Sequence, residues 1–156
     1  MLLLYRRIII MILAAEFVGV VGSLYTTPAI PGWYASLAKP DWTPPSWLFA
    51  PVWTALYAMM GIAAALVLCA KSRTRETAMH IYGTQLMLNI LWSILFFGMR
   101  SPFLGLVGII ALWMSIVFTI FFFHRVSRKA AILLVPYLAW TSFALILNGA
   151  VLSMNP

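Results

Sequence analysis

Residues 47–70 read WLFAPVWTALYAMMGIAAALVLCA, an apolar run that carries no charge. The hydrocarbon core of a bilayer is about 30 Å thick, and a helix needs about 20 apolar residues to cross it. This run is long enough, and nothing in it asks for water. Working outward, residues 8–25, 77–99, 102–123 and 130–154 meet the same test. The chain therefore reads as an all-α integral membrane protein. Residues 1–156 form a single domain, a bundle of five transmembrane helices.

Composition agrees. Of the 156 residues, 64% are hydrophobic and 8% charged, with a mean hydropathy of +1.01. A soluble domain is about 45–50% apolar and about 25% charged. The net charge of +7 would suit nucleic acid only as a basic stripe on a soluble face. Here the basic residues sit between apolar runs, so the partner is the lipid bilayer and not nucleic acid.

Their placement orients the chain. Residues 71–76, 100–101 and 124–129 are short hairpin connections. Arg6, Arg7, Lys71, Arg73, Arg75, Arg125, Arg128 and Lys129 fall at one end of the bundle, and Lys39 and Arg100 at the other. Loops rich in Lys and Arg stay cytoplasmic. The amino terminus is thus expected in the cytoplasm and the carboxyl terminus on the opposite side. The first span is expected to be retained, because Glu16 directly follows Ala14-Ala15, where a signal peptide needs a clean small-residue site.

One connection, residues 26–46, is long. Pro28, Pro31, Pro40, Pro44 and Pro45 stiffen it, and Trp33, Tyr34 and Trp42 give it rings. Such rings suit an interfacial aromatic belt. A stiff loop of this length is also commonly functional, which favours a structured lid over a pocket.

Inside the spans, spacing groups the remaining polar and aromatic residues. Trp53 and Tyr57 share one helix face, Gln85, Asn89 and Trp92 follow i, i+4, i+7, and Tyr137, Trp140, Ala144 and Asn148 follow i, i+3, i+7, i+11. An unpaired amide in hydrocarbon costs several kcal/mol, so these faces point into the bundle. There the amides either bond between helices or meet a ligand. Pro136 removes the hydrogen bond to the Ile132 carbonyl and is expected to kink the fifth span.

The stretch WYASLAKPDWTPPSW (33–47), running on into PVWTALY (51–57), resembles the first loop and second helix of the TspO/MBR family, with its pattern WYxxLxKPxWxPPxW. This family comprises the tryptophan-rich sensory and translocator proteins, also known as peripheral-type benzodiazepine receptors. QLMLNILW (85–92) with FFG (96–98) is similar to its third helix, and VPYLAW (135–140) with Phe143-Ala144 and Leu147-Asn148 to its fifth.

The resemblance implies a five-helix bundle, often a homodimer, with a pocket under the first loop that binds porphyrins or other tetrapyrroles. Sterol-like and drug-like lipophiles are further candidates. It implies ligand contacts from Trp33, Tyr34 and Trp42 in the loop and from Trp53, Tyr57, Gln85, Asn89 and Trp92 below it. The fifth span would add Tyr137, Trp140, Phe143, Ala144 and Leu147. Some members carry a sterol-recognition stretch after the Leu-Asn pair. Here residues 149–154 hold neither the tyrosine nor the basic residue it needs, which argues against cholesterol.

Other residues point away from chemistry. His80 and His124 lie toward the basic end, away from the expected pocket, and the lone Cys69 makes no disulfide. No Ser/His/Asp set, metal cluster or Gly-rich phosphate loop occurs. No cofactor is required, and the porphyrin is a ligand. The expected function is a receptor or carrier with a sensing or transport role. The alternatives are light-dependent porphyrin degradation using Trp53 and Trp140, as the resemblance implies, and an ion-coupled transporter. Glu16, the one acid inside a span, is expected to be neutral and hydrogen-bonded across the bundle. Ala15, Gly19 and Ser23 form a small-residue stripe that would let another helix or a second subunit approach.

Overall fold

In the computed structural model, which describes residues 2–155, five helical segments are long and apolar enough to cross a membrane. Helix α1 (Leu2–Ala29) runs on through a π-helical turn, Ile30–Tyr34. A 3₁₀ turn, Ser46–Leu48, opens α2 (Phe49–Cys69). Helix α3 (Arg75–Ser93) ends in a second π-helical turn, Ile94–Gly98. Helix α4 (Pro102–Val126) is the fourth span, and α5 (Arg128–Leu133) with α6 (Val135–Met154) forms the fifth.

The first span is longer than the expected 8–25, and the expected loop 26–46 is correspondingly shorter. Pro28 and Pro31 do not end the helix. Pro28 lies inside α1, and the π-helical turn absorbs Pro31 because the Ala35 N–H reaches back to the Ile30 carbonyl. A proline-bearing helix survives in a membrane where local π adjustments and side chains satisfy the freed backbone groups. The expected kink in the fifth span is present. It falls at Leu134, whose N–H turns to Ala131 at 3.1 Å, and the chain resumes as α6 with Pro136 in its first turn.

Helix α1 packs on α2 and α3, α3 on α4, and α4 on α6, while α2 closes the ring against α5. A gradient of side-chain size along α2 shapes this ring. At the basic end Gly61, Ala63, Ala64 and Ala65 are buried and let helices approach closely. Toward the other end Phe49 meets Trp140 of α6, Trp53 meets Trp92 of α3 and Tyr137 of α6, and the α2 and α6 backbones draw apart. The bundle is tight at its basic end and wedged open by rings at the other.

Part of the small-residue stripe on α1 serves this packing. Ala15 is fully buried in the core, and a Cβ at Gly19 would run into the Tyr57 ring. Apolar side chains on the opposite face of α1, among them Leu13, Phe17 and Leu24, are exposed and meet lipid. At the basic end Arg7 donates to the Leu68 carbonyl at 2.8 Å, tying α1 to the end of α2.

A Cβ at Gly61 would lie 2.5 Å from the backbone N and Cα of Ile12, atoms that cannot rotate away. Gly61→Ala is expected to destabilise the bundle by about 1–3 kcal/mol. Thermal unfolding in detergent checks this against Gly149→Ala, where a Cβ meets nothing within 4 Å. That control is expected to hold or gain up to about 1 kcal/mol from helix propensity.

Candidate functional site

Helix α3 places its amides where α2 and α6 converge. The buried Asn89 accepts from the Tyr57 hydroxyl at 2.6 Å and donates to the Tyr137 hydroxyl at 2.8 Å. About one turn deeper, Gln85 Nε2 lies 3.4 Å from the Tyr137 hydroxyl and 3.4 Å from Met60 Sδ. These amides bond between helices, one of the two roles open to them from sequence. On the far side of the bundle Asn148 donates to the Pro102 carbonyl at 2.8 Å, joining α6 to the start of α4.

Directly outward of Asn89 lies a cavity of about 320 Å³ between α1, α2 and α3. Helix α1 contributes Glu16, Gly19, Ser23 and Thr26, followed by Ile30 and Tyr34 of its π-helical turn. Phe49, Trp53, Thr54 and Tyr57 come from α2. Asn89, Trp92 and Ser93 come from α3, and Phe97 from the turn after it. Because α1 and α3 run outward and α2 inward, Glu16, Tyr57 and Asn89 form the floor.

The inner wall is aromatic. The Trp53 ring lies 5.6 Å from Tyr57 at 30° and 6.3 Å from Trp92 at 31°, each pair tilted. Trp92 stacks on Phe96 at 5.9 Å, and Trp33 meets Phe96 edge-on at 5.4 Å. Three of the wall hydroxyls are already committed. Ser23 donates to Val20, Thr26 to Gly22 and Thr54 to Ala50, so each offers the cavity only lone pairs. The buried Trp92 Nε1 has no hydrogen-bond partner.

The loop expected to be a lid is anchored to the end of the first span and to α6, and residues 35–45 do not line the cavity. Lys39 Nζ donates to the carbonyls of Tyr34 at 2.6 Å, Leu37 at 2.8 Å and Ala35 at 3.3 Å, capping the end of the first span. The same ammonium sits 4.9 Å from the centre of the Tyr34 ring. Farther along, Asn155 clasps Ala38 from both sides, accepting its N–H at 3.0 Å and donating to its carbonyl at 2.9 Å. Trp42 packs edge-on against Phe143 of α6 at 5.8 Å.

Of the residues expected at the pocket, Tyr34, Trp53, Tyr57, Asn89 and Trp92 line this cavity. Gln85 and Tyr137 support its floor. Trp33 backs the wall through Phe96. Trp42, Trp140 and Phe143 form a second aromatic group at α6, joined to α2 by the 6.0 Å contact of Trp140 with Phe49. Ala144 and Leu147 lie further along α6 and do not line the cavity.

Glu16 faces the cavity with no hydrogen-bond partner among the described residues, not bonded across the bundle as expected. The α1 wall was missed from sequence, although Glu16, Gly19, Ser23, Thr26 and Ile30 follow i, i+3, i+7, i+10, i+14 in an otherwise apolar helix.

The TspO/MBR family profile matches residues 10–154. The chain belongs to the TspO/MBR family. Among TspO/MBR relatives, the tryptophan-rich protein TspO of Chlorobaculum tepidum is 50% identical over 141 residues, 89% of each chain. The tryptophan-rich sensory protein of Cereibacter sphaeroides is 35% identical over 142 residues, again 89% of each. The translocator protein of Bos taurus is 41% identical over 133 residues, 83% of this chain and 79% of its own.

Three variants probe this TspO/MBR site. Lys39→Met removes three carbonyl caps and is expected to speed amide hydrogen exchange at residues 35–39 about tenfold, with the spans unchanged. Asn89→Leu strands the buried Tyr57 hydroxyl and leaves that of Tyr137 only its 3.4 Å contact with Gln85, and is expected to cost about 2 kcal/mol in detergent unfolding, against about 1 kcal/mol for Tyr57→Phe.

Proposed function

We propose that this TspO/MBR protein is a membrane receptor or carrier for porphyrins and related lipophiles, with a sensing or transport role. One observation carries the proposal: the cavity whose inner wall is formed by the rings of Tyr57, Trp53 and Trp92. Ligand pockets of about 300–1,000 Å³ are typically apolar and aromatic with a few placed polar groups. A flat tetrapyrrole gains from stacking on such a wall, and the floor amide of Asn89 adds a placed polar group. The names of the relatives, sensory in one and translocator in another, are in keeping with such a role.

In this proposal the basic end lies in the cytoplasm and the long loop outside, following the eight basic residues at one end and two at the other. The protein pairs as a homodimer through an exposed apolar helix face other than the covered Ala15–Gly19 stripe.

Titrating protoporphyrin into the protein in lipid nanodiscs, read by tryptophan fluorescence, tests the ligand. Saturable quenching is expected. Affinity is expected to fall about three- to tenfold in a Trp53→Phe/Trp92→Phe double variant and much less in Trp140→Phe. Linear, unsaturable quenching that is identical in all three proteins would mean partitioning into lipid and defeat the proposal.

A further inference from the structure

Glu16 is the one charged side chain among the cavity residues, and porphyrin binding gives it no task. We propose that it makes this cavity a site for lipophilic amines. The ammonium group of such a ligand sits on the floor against the Glu16 carboxylate, and its rings stack on Trp53 and Trp92. The proposal does not depend on porphyrin being a ligand.

The first support is an unmatched charge. Glu16 lies mid-span on α1, and an acid at that depth is costly unless something pairs with it. No Lys, Arg or His lines the cavity. The nearest basic residue along α1 is Arg7, nine positions toward the amino terminus, or about 13 Å at helical rise. Its guanidinium is already bonded to the Leu68 carbonyl. Lys39 is held by three carbonyls at the end of the first span. The chain places no counter-ion at this carboxyl, and an ammonium ligand would supply one.

The second support is the polarity of the walls. Ser23, Thr26 and Thr54 spend their protons on their own helices, and Tyr57 gives its proton to Asn89. What these groups turn to the cavity is lone pairs. Together with the carboxylate on the floor they offer acceptors matched to a donor or cation. The aromatic wall adds to the match, because the faces of tryptophan and tyrosine attract organic cations. An amine with a bulky aromatic body satisfies the carboxylate, the lone pairs and the rings together.

The test uses three analogues of one tricyclic aromatic whose propyl chain ends in dimethylammonium, hydroxyl or carboxylate. Each is titrated into the full chain in zwitterionic nanodiscs and read by tryptophan quenching. The amine is expected to bind about tenfold tighter than the alcohol, and the acid weakest. Glu16→Gln is expected to bring amine and alcohol within about threefold, and Glu16→Asp to keep the preference.

A second measurement needs no variant. Labelling of Glu16 by dicyclohexylcarbodiimide, read by mass spectrometry, is expected to slow when the amine is added and not when the alcohol is. Equal affinity for the three tails, a preference that survives Glu16→Gln, or labelling indifferent to the amine would each overturn the proposal.

Discussion

The hydrogen bonds from Tyr57 to Asn89 and from Asn89 to Tyr137 bind α2, α3 and α6 at one level of the membrane, and the rest of the architecture is arranged around that level. Hydrocarbon offers polar groups no alternative partner, so an amide placed there has to close on its neighbours. On one side of the knot the side chains are small and the helices touch. On the other side they are rings, and rings of α2 and α6 can be in contact while their backbones stand apart. The cavity is the space left beside that ring layer, where α1 presents glycine, serine and threonine in place of bulk.

Much of this was legible in the sequence because the membrane enforces simple rules. Length and hydropathy located every span, and the polar stripes on α3 and α6 identified the faces that meet. The first span and its loop were misjudged because proline was read as it behaves in water, as a helix terminator. Inside a bundle the same residue is accommodated by a wider turn, and the helix carries Trp33 and Tyr34 into place. The wall on α1 escaped notice for another reason. Its residues are small or aliphatic apart from Glu16, and small residues signal close packing as readily as they signal space. At Ala15 the stripe packs, at Ser23 and Thr26 it lines a void, and only the partner across from it decides which.

The long loop owes its order to few but well-placed bonds. A single ammonium collects three carbonyls at the end of the first span, and the last helix reaches over with an asparagine to hold the next stretch of chain. Segments far apart in sequence thus fix a loop that has almost no regular structure of its own. The prolines on either side limit how far it can move when those bonds open.

The two π-helical turns, Ile30–Tyr34 and Ile94–Gly98, face one another across the outer end and hold Trp33, Tyr34, Phe96 and Phe97 in mutual contact. Each wide turn accommodates one residue more than an α-helix would, and an α-helix advances about 100° per residue. Deleting that extra residue would return either turn to an α-helix with the segment beyond it still in register, so the loss would fall on the rings the turn itself displays. A change in length at these two points therefore acts on the aromatic cluster and leaves the register of the spans alone.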